Sequence, residues 1–401
     1  MRKLLYLPII LILGCTSHNP PSTGVVTVNV ADGLKETREL RLSEFVSDIE
    51  YIKLETKKEC LIGSGYPIVG KDHILILSYN PLAVLLFSRE GKYQGTIGKK
   101  GQGPGEFIAI NQLTFTRDEK AVFILDAGQK RFLLYDLAGN LIKEAGYQNY
   151  INGTIRSVLP DPVYGFTAFL NRPYEETRNF PIILKLNDAF EIIDRQFPVS
   201  VNLLASPGYI IYKSSMYYRN NQLHFREFNM DTLYIRQGKE FKPAYFFNIP
   251  ARSPNRVFTA EQNQEEFNFI NRTVEQGSII FIGLVMNKLG KYFTVCYNKE
   301  TKDIFTLKDI PVTNLSQLPR PGFVNDLDGT PVAEFLENNQ EFNTVILDII
   351  SCKEWLEKDF DPNQKVSLPR RQKQLTDLIR VSTPDDNPIL QIMHLRQTFV
   401  D

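Results

Sequence analysis

The chain has 401 residues, with 46 Lys plus Arg against 46 Asp plus Glu, so its formal net charge is zero; 43% of its residues are hydrophobic. Nucleic-acid affinity is built on a basic excess that releases counterions from phosphates, so no nucleic-acid partner is expected. The length exceeds that of an average domain, yet all-β barrels and propellers often reach such sizes as one domain.

The N-terminus sets the expected compartment. Arg2 and Lys3 precede an apolar run from Leu4 to Leu13. That run is half the roughly 20 residues needed to cross a bilayer as a helix, and it suits the core of a secretory signal. It ends Ile12-Leu13-Gly14-Cys15 before a polar stretch, Thr16 to Ser22, and this ending resembles a bacterial lipobox. Residues 1–14 are therefore expected to be cleaved and Cys15 lipidated, with 15–40 a linker to the globular part. Two or three acyl chains make a stable anchor where one is marginal. Thr16-Ser17-His18-Asn19 carries no acidic residue, which favours an outer-membrane anchor facing the periplasm.

An internal repeat defines the fold. The stretch from Ile74 to Tyr93 lies without a gap over Val122 to Leu141, an offset of 48 residues, with Ser78 on Asp126, Phe87 on Tyr135 and Gly91 on Gly139. Each unit reads as apolar strand, polar turn, apolar strand and Gly turn, and the period is that of one propeller blade. Weaker copies run over Ile182–Ile193, Asp231–Phe247 and Tyr292–Leu307, and a last apolar strand covers Thr344–Ile350. Two helices are predicted. One spans Thr259 to Gly277, with a capping-box start and Phe267, Ile270 and Val274 on one face. The other spans Leu368 to Val381, with Pro369 in its first turn and Leu375, Leu378 and Ile379 aligned. A strand within Ile389–Leu395 follows and is expected to close the ring. The expected fold is all-β: a six-bladed β-propeller over 41–401 with a helical insertion, a C-terminal helix and a closing strand near 388–396. Cys60, Cys296 and Cys352 form no disulfide or zinc pattern, and buried free thiols are expected.

These landmarks carry a resemblance. Ile49-Glu-Tyr-Ile-Lys-Leu-Glu-Thr56, Leu61-Ile62-Gly63, Ile97 to Phe107, Asp231-Thr-Leu-Tyr234 with Pro243-Ala-Tyr245, Asn325-Asp-Leu-Asp-Gly329 and Asp386-Asn-Pro-Ile-Leu390 occur in order along the chain. Together they resemble the six-bladed β-propeller lipoproteins abundant in Bacteroidetes. The stretch from Gly98 to Tyr135 also resembles NHL repeats, which serve protein, peptide and nucleic-acid binding and occasional enzymes. The resemblance implies fold and cell envelope, with function mostly unassigned.

Candidate chemistry is sparse. Gly98-Lys-Lys-Gly-Gln-Gly-Pro-Gly105 lacks the Ser or Thr and the helix of a phosphate loop, so a tight inter-blade connection is expected. Asn325-Asp326-Leu327-Asp328-Gly329 begins like a calcium loop, but Thr330, Pro331 and Val332 break the ligand series; a polar turn at a strand end is expected, with Asn325, Asp326 and Asp328 candidates for a functional face. The four histidines (His18, His73, His224 and His394) show no zinc spacing, and no Gly-x-Ser-x-Gly elbow occurs. No metal or cofactor is predicted, and no catalytic residue can be named. Tyr209, Tyr212, Tyr217 and Tyr218, near Arg219, His224 and Arg226, could bind a sugar or peptide; Asp126 and Arg131 flank the turn of the clearest repeat. The expected function is non-enzymatic binding or scaffolding for a protein, peptide or glycan in the envelope. The alternative is a hydrolase or lyase with its site at the axial channel.

Overall fold

A computed structural model describes residues 24–147, 154–171, 183–196, 215–227, 230–250, 268–286, 291–308, 322–330 and 341–396. Six antiparallel sheets form the blades of a propeller. Blade I holds Gly65–Val69, His73–Tyr79, Leu82–Ser88 and Tyr93–Thr96; blade II holds Ile110–Phe115, Ala121–Asp126, Arg131–Asp136 and Leu141–Gly146. Blade III holds Thr154–Pro160, Phe166–Asn171, Ile183–Leu186 and Ile192–Gln196. Blade IV is built from Ser215–Arg219, Gln222–Arg226, Thr232–Gln237 and Glu240–Asn248, and blade V from Asn268–Gln276, Ile279–Met286, Lys291–Asn298 and Ile304–Leu307. The first strands of neighbouring blades approach one another, as Ile110–Phe115 does Thr154–Pro160 and Ser215–Arg219 does Asn268–Gln276, which places them innermost.

Blade VI closes the ring with both ends of the chain. Its strands are Phe342–Leu347, Ile389–Leu395 and Val46–Lys53, and Gln391 sits opposite Val345 on one side and Tyr51 on the other. The predicted closing strand therefore pairs as expected. In place of a fourth strand, the helix Pro369–Val381 lies along Val46–Lys53. Arg371 donates to Asp48 at 3.0 and 2.7 Å, and Gln374 Nε2 donates to the Tyr51 carbonyl at 3.0 Å. A helix over the strand blunts an edge that would otherwise invite pairing with another chain.

Blade packing follows from the alternation of side chains along a strand. In Ala121–Asp126 all six residues are buried. Val122 and Ile124 pack toward blade I with Leu75, Leu77, Val84 and Leu86, whereas Phe123 and Leu125 pack toward blade III with Ile155, Val158 and Phe166. Further cores join blade IV to V, V to VI, and VI back to I, the last through Ile52, Leu390 and Ile392 against Ile74, Ile76 and Phe87. Each blade depends on its neighbours for burial, the property that makes a closed repeat array stable. The repeat's Gly turns are conformationally required. Gly139 has φ +85°, and a Cβ there would lie 2.6 Å from the Thr96 carbonyl oxygen of blade I.

Two element predictions need correction. Residues 268–276, inside the predicted helix Thr259–Gly277, form the innermost strand of blade V; residues 259–267 of that prediction, Phe267 among them, lie outside the described residues. Ile270 and Val274 are four apart, a spacing that fits a strand face as well as a helix face, and β-branched Thr273 and Val274 favour the strand. Gly277, read as a helix cap, has φ +54° in the hairpin turn that follows. The strand predicted over Thr344–Ile350 stops at Leu347. Asp348 then caps a helix, Ile349–Lys358, accepting the Ser351 amide at 2.8 Å. The helix predicted over Leu368–Val381 is observed as Pro369–Val381, with Leu375 and Ile379 buried.

The span read as a linker contains further pairing. Val26–Asn29 joins Glu240–Asn248 of blade IV in parallel, Thr37–Arg38 joins Ile304–Leu307 of blade V, and Leu40–Arg41 joins Phe323–Val324. Residues 26–41 thus run over the outer edges of two blades before entering the sixth. Cys60, Cys296 and Cys352 are buried free thiols, as expected.

Candidate functional site

The candidate residues fall into four places. Asp126 and Arg131 flank the turn between the second and third strands of blade II. Asp126 Oδ1 accepts the amides of Gly128 and Ala109, both at 3.1 Å, and Oδ2 accepts Gln129 Nε2 at 3.0 Å. Arg131 pairs with Glu144 and donates to the carbonyls of Glu106 and, at 3.0 Å, Gly103. The two residues therefore hold the Gly-rich connection between blades I and II. Its amides are already matched to carboxylates of this chain, Gly103 to Glu106 at 2.8 Å and Gly105 to Glu144 at 2.7 Å. The positions an anion would take are thereby filled.

Asn325, Asp326 and Asp328 form an internal clamp on blade VI. Asn325 Nδ2 donates to Asp328 Oδ1 at 2.6 Å and to the Thr330 carbonyl at 3.0 Å. Asp328 is 0% exposed and its Oδ2 accepts the Tyr51 hydroxyl at 2.6 Å. Burial raises its carboxyl pKa against the hydrogen bonds that lower it. Asp326 accepts the Ser43 amide at 3.0 Å and hydroxyl at 2.6 Å, and its carbonyl accepts Ser367 Oγ at 3.1 Å. The predicted polar turn is present, with its carboxylate oxygens engaged by donors of this chain.

Tyr217 and Tyr218 adjoin in sequence but not in environment. Successive residues of a strand face opposite ways, so the pair points into different blade interfaces. Tyr217 reaches blade V, where its hydroxyl donates to Glu275. Glu275 is also paired with Lys299 and, at 3.1 Å, with Arg219. His224 stacks on Tyr217 with ring centroids 4.9 Å apart and holds Nδ1 3.5 Å from Glu275. Burial lowers the His224 pKa to about 4, so the ring is neutral. Arg226, on the same strand, is 0% exposed and donates to Thr273 Oγ1 at 3.2 Å and the Met230 carbonyl at 3.0 Å. Tyr209 and Tyr212 lie outside the described residues.

Tyr218 faces blade III, and here an open site exists. Its hydroxyl donates to Asp161 Oδ2 at 2.7 Å, beside Thr167 Oγ1 at 2.8 Å and Lys185 Nζ at 3.0 Å. Asp161 Oδ1 accepts the amides of Val163 at 2.8 Å and Tyr164 at 3.0 Å, which folds the turn between the first two strands of blade III. These donors outweigh burial and hold the Asp161 carboxyl down to about 2, while burial pushes the Tyr218 hydroxyl up. The cluster floors a cleft of ≈ 200 Å³ between blades III and IV, lined also by Leu223, Asn221, Arg236 and Gly238. Val163, 70% exposed, lines its edge; the neighbouring Tyr164, 53% exposed, has its ring centroid 5.3 Å from Lys185 Nζ. Of this site only Tyr218 stands out in the sequence. Asp161, Lys185 and Arg236 come from separate hairpins and share no local motif. The one available cue was Asp161-Pro162 opening a turn before the exposed Val163-Tyr164.

Among the described residues no three His, Cys, Asp or Glu side chains gather as a metal site would require. The fold and these inter-blade sites define a six-bladed β-propeller whose polar residues chiefly fasten one blade to the next. Residues 25–394 match the family described as "Domain of unknown function (DUF4934)", and the chain belongs to that family. Among solved structures it is similar to a protein classed as exported from Bacteroides fragilis NCTC 9343, at 18% identity and TM-score 0.62, covering 93% of this chain and 100% of that one. A DUF4221 member from Bacteroides vulgatus ATCC 8482 matches at 10% identity and TM-score 0.48, covering 90% and 99% of the two chains. A protein of unknown function from Bacteroides thetaiotaomicron VPI-5482 matches at 12% identity and TM-score 0.38, covering 89% and 75%. No curated protein matches the sequence.

Proposed function

We propose that this chain is an exported, lipid-anchored binding propeller of the cell envelope, tethered through Cys15 and docking a protein or peptide on the turns between blades III and IV. The observation that carries this reading is the cleft beside Tyr218. Its charged floor is internally committed, with Asp161 held ionised to about pH 2 and Tyr218 held protonated. Neither group changes charge near neutral pH, whereas a general acid or base works best with a pKa near the operating pH. The site thus offers fixed hydrogen bonding and charge beside an exposed apolar and aromatic turn, the combination that suits recognition. The signal and lipobox pattern of residues 1–15, together with the likeness to a protein classed as exported, supports the compartment.

The test is saturable capture from envelope extracts by the full chain, compared with Val163→Asp and Tyr164→Ala variants of unchanged melting temperature. A partner lost with either substitution supports the reading. Capture indifferent to both, or turnover of a substrate without a stable partner, contradicts it.

A further inference from the structure

We infer that the cleft between blades III and IV is a carboxylate-binding site, made to take one carboxylate flanked by an apolar group, as at the free end of a peptide with an apolar last residue. The inference rests on the binding reading above and specifies its ligand. Two cations line the cleft, Lys185 and Arg236, against one carboxylate, Asp161. Asp161 is saturated: Oδ1 takes two backbone amides, and Oδ2 takes Thr167, Tyr218 and Lys185. It cannot also answer Arg236. Among the described residues that guanidinium has its Nε buried without a hydrogen-bond partner, and its one ion-pair contact is Asp194 at 3.9 Å. Asp194 in turn accepts Gln196 Nε2 at 2.7 Å. The Nε is enclosed, so a ligand in the cleft would meet the terminal Nη atoms of the guanidinium. A guanidinium fork meets a carboxylate best, with two parallel hydrogen bonds. Lys185 uses one donor on Asp161, so an ammonium has others to offer.

Size and lining narrow the ligand. A cleft of ≈ 200 Å³ is smaller than the roughly 300–1,000 Å³ that holds a drug-sized ligand, which points to the end of one residue. Val163 and Leu223, which line the cleft, supply the apolar contact for its side chain.

The experiment is calorimetric titration of the full chain in detergent with N-acetyl-leucine, its amide and glucuronate, at low and high salt. Binding of the acid at least tenfold tighter than of the amide, weakened by salt and lost tenfold or more in Arg236→Gln, is the expected result. Arg236→Lys should retain part of the affinity, and neither variant should shift the melting temperature appreciably, since the Nε atom makes no hydrogen bond to lose. Equal binding of acid and amide, binding unchanged in Arg236→Gln, or no binding at all overturns the inference. Glucuronate binding better than N-acetyl-leucine assigns the carboxylate to a glycan and overturns the peptide form. Failure here with envelope capture still lost in Val163→Asp leaves the binding reading standing without this ligand; failure of both removes both.

Discussion

Tyr51 and Asp328, 277 residues apart in sequence, meet inside blade VI with the phenol donating to the carboxylate at 2.6 Å. Tyr51 belongs to the N-terminal strand of that blade, and Gln391 of the neighbouring C-terminal strand donates to the same phenol at 3.1 Å. Ring closure is thus fastened by polar contacts as well as by apolar burial. Removing the hydroxyl leaves a fully buried Asp328 oxygen short of a donor, which costs about 1–3 kcal/mol. Tyr51→Phe should lower unfolding stability by that amount in a denaturant titration. A change within experimental error would show that the clamp contributes nothing to closure.

Arg131 makes the equivalent fastening between blades I and II. Its side chain is 10% exposed and engages Glu144, Asp126 and two carbonyls of the Gly-rich connection. Truncating one partner of a buried ion pair costs about 3 kcal/mol or more, because the other charge stays buried. Arg131→Ala is expected to lose that much stability, with accelerated proteolysis between Gly98 and Gly105 as the local readout.

Acid sensitivity should show two windows. The folded pKa of His224 is lowered to about 4 from 6.5, chiefly by burial. The unfolded chain therefore binds the extra proton between those values, and stability falls as pH drops from about 6.5 to about 4. By the free-energy equivalent of a pKa shift, this loss approaches about 3 kcal/mol. The folded pKa of Asp161 is depressed to about 2, so its contribution is complete above the ordinary value of 3.8 and is lost as pH falls toward 2. His224→Gln should flatten the first window and leave the second. Unfolding midpoints measured from pH 8 down to about pH 2 check both.

The anchor makes its own prediction. Cys15→Ser should abolish acyl-chain labelling and move the protein from the membrane to the soluble envelope fraction. Unchanged labelling and fractionation would place the anchor elsewhere.

The parts of the fold legible in the sequence were those written in local periodicity. The gap-free match of blade I to blade II exposed the repeat, and the apolar run Ile389–Leu395 was recognisable as a closing strand because a break at Asp385–Pro388 isolates it. The blade V inner strand misled because Ile270 and Val274 satisfy both the period of a strand and that of a helix. The pairing of residues 26–41 is carried by backbone ladders along the edges of distant strands, for which the side chains give little signal. The site was less legible still. Tyr217 and Tyr218 form one cluster in the sequence, yet strand alternation sends them to separate interfaces, with Glu275 on one side and Asp161 on the other. The partners that give each tyrosine its meaning arrive from another blade, and only the closed ring brings them together.

The most direct test of the central claim, that the turns between blades III and IV are a docking surface, is photo-crosslinking in intact cells from a photoreactive amino acid in place of Tyr164. The control is the same substitution at Ile350, 57% exposed on the helix that follows the strand Phe342–Leu347 of blade VI. The account predicts a discrete adduct from position 164 that is absent from 350 and is suppressed by Arg236→Gln. No adduct from 164, or the same adducts from both positions, would contradict it.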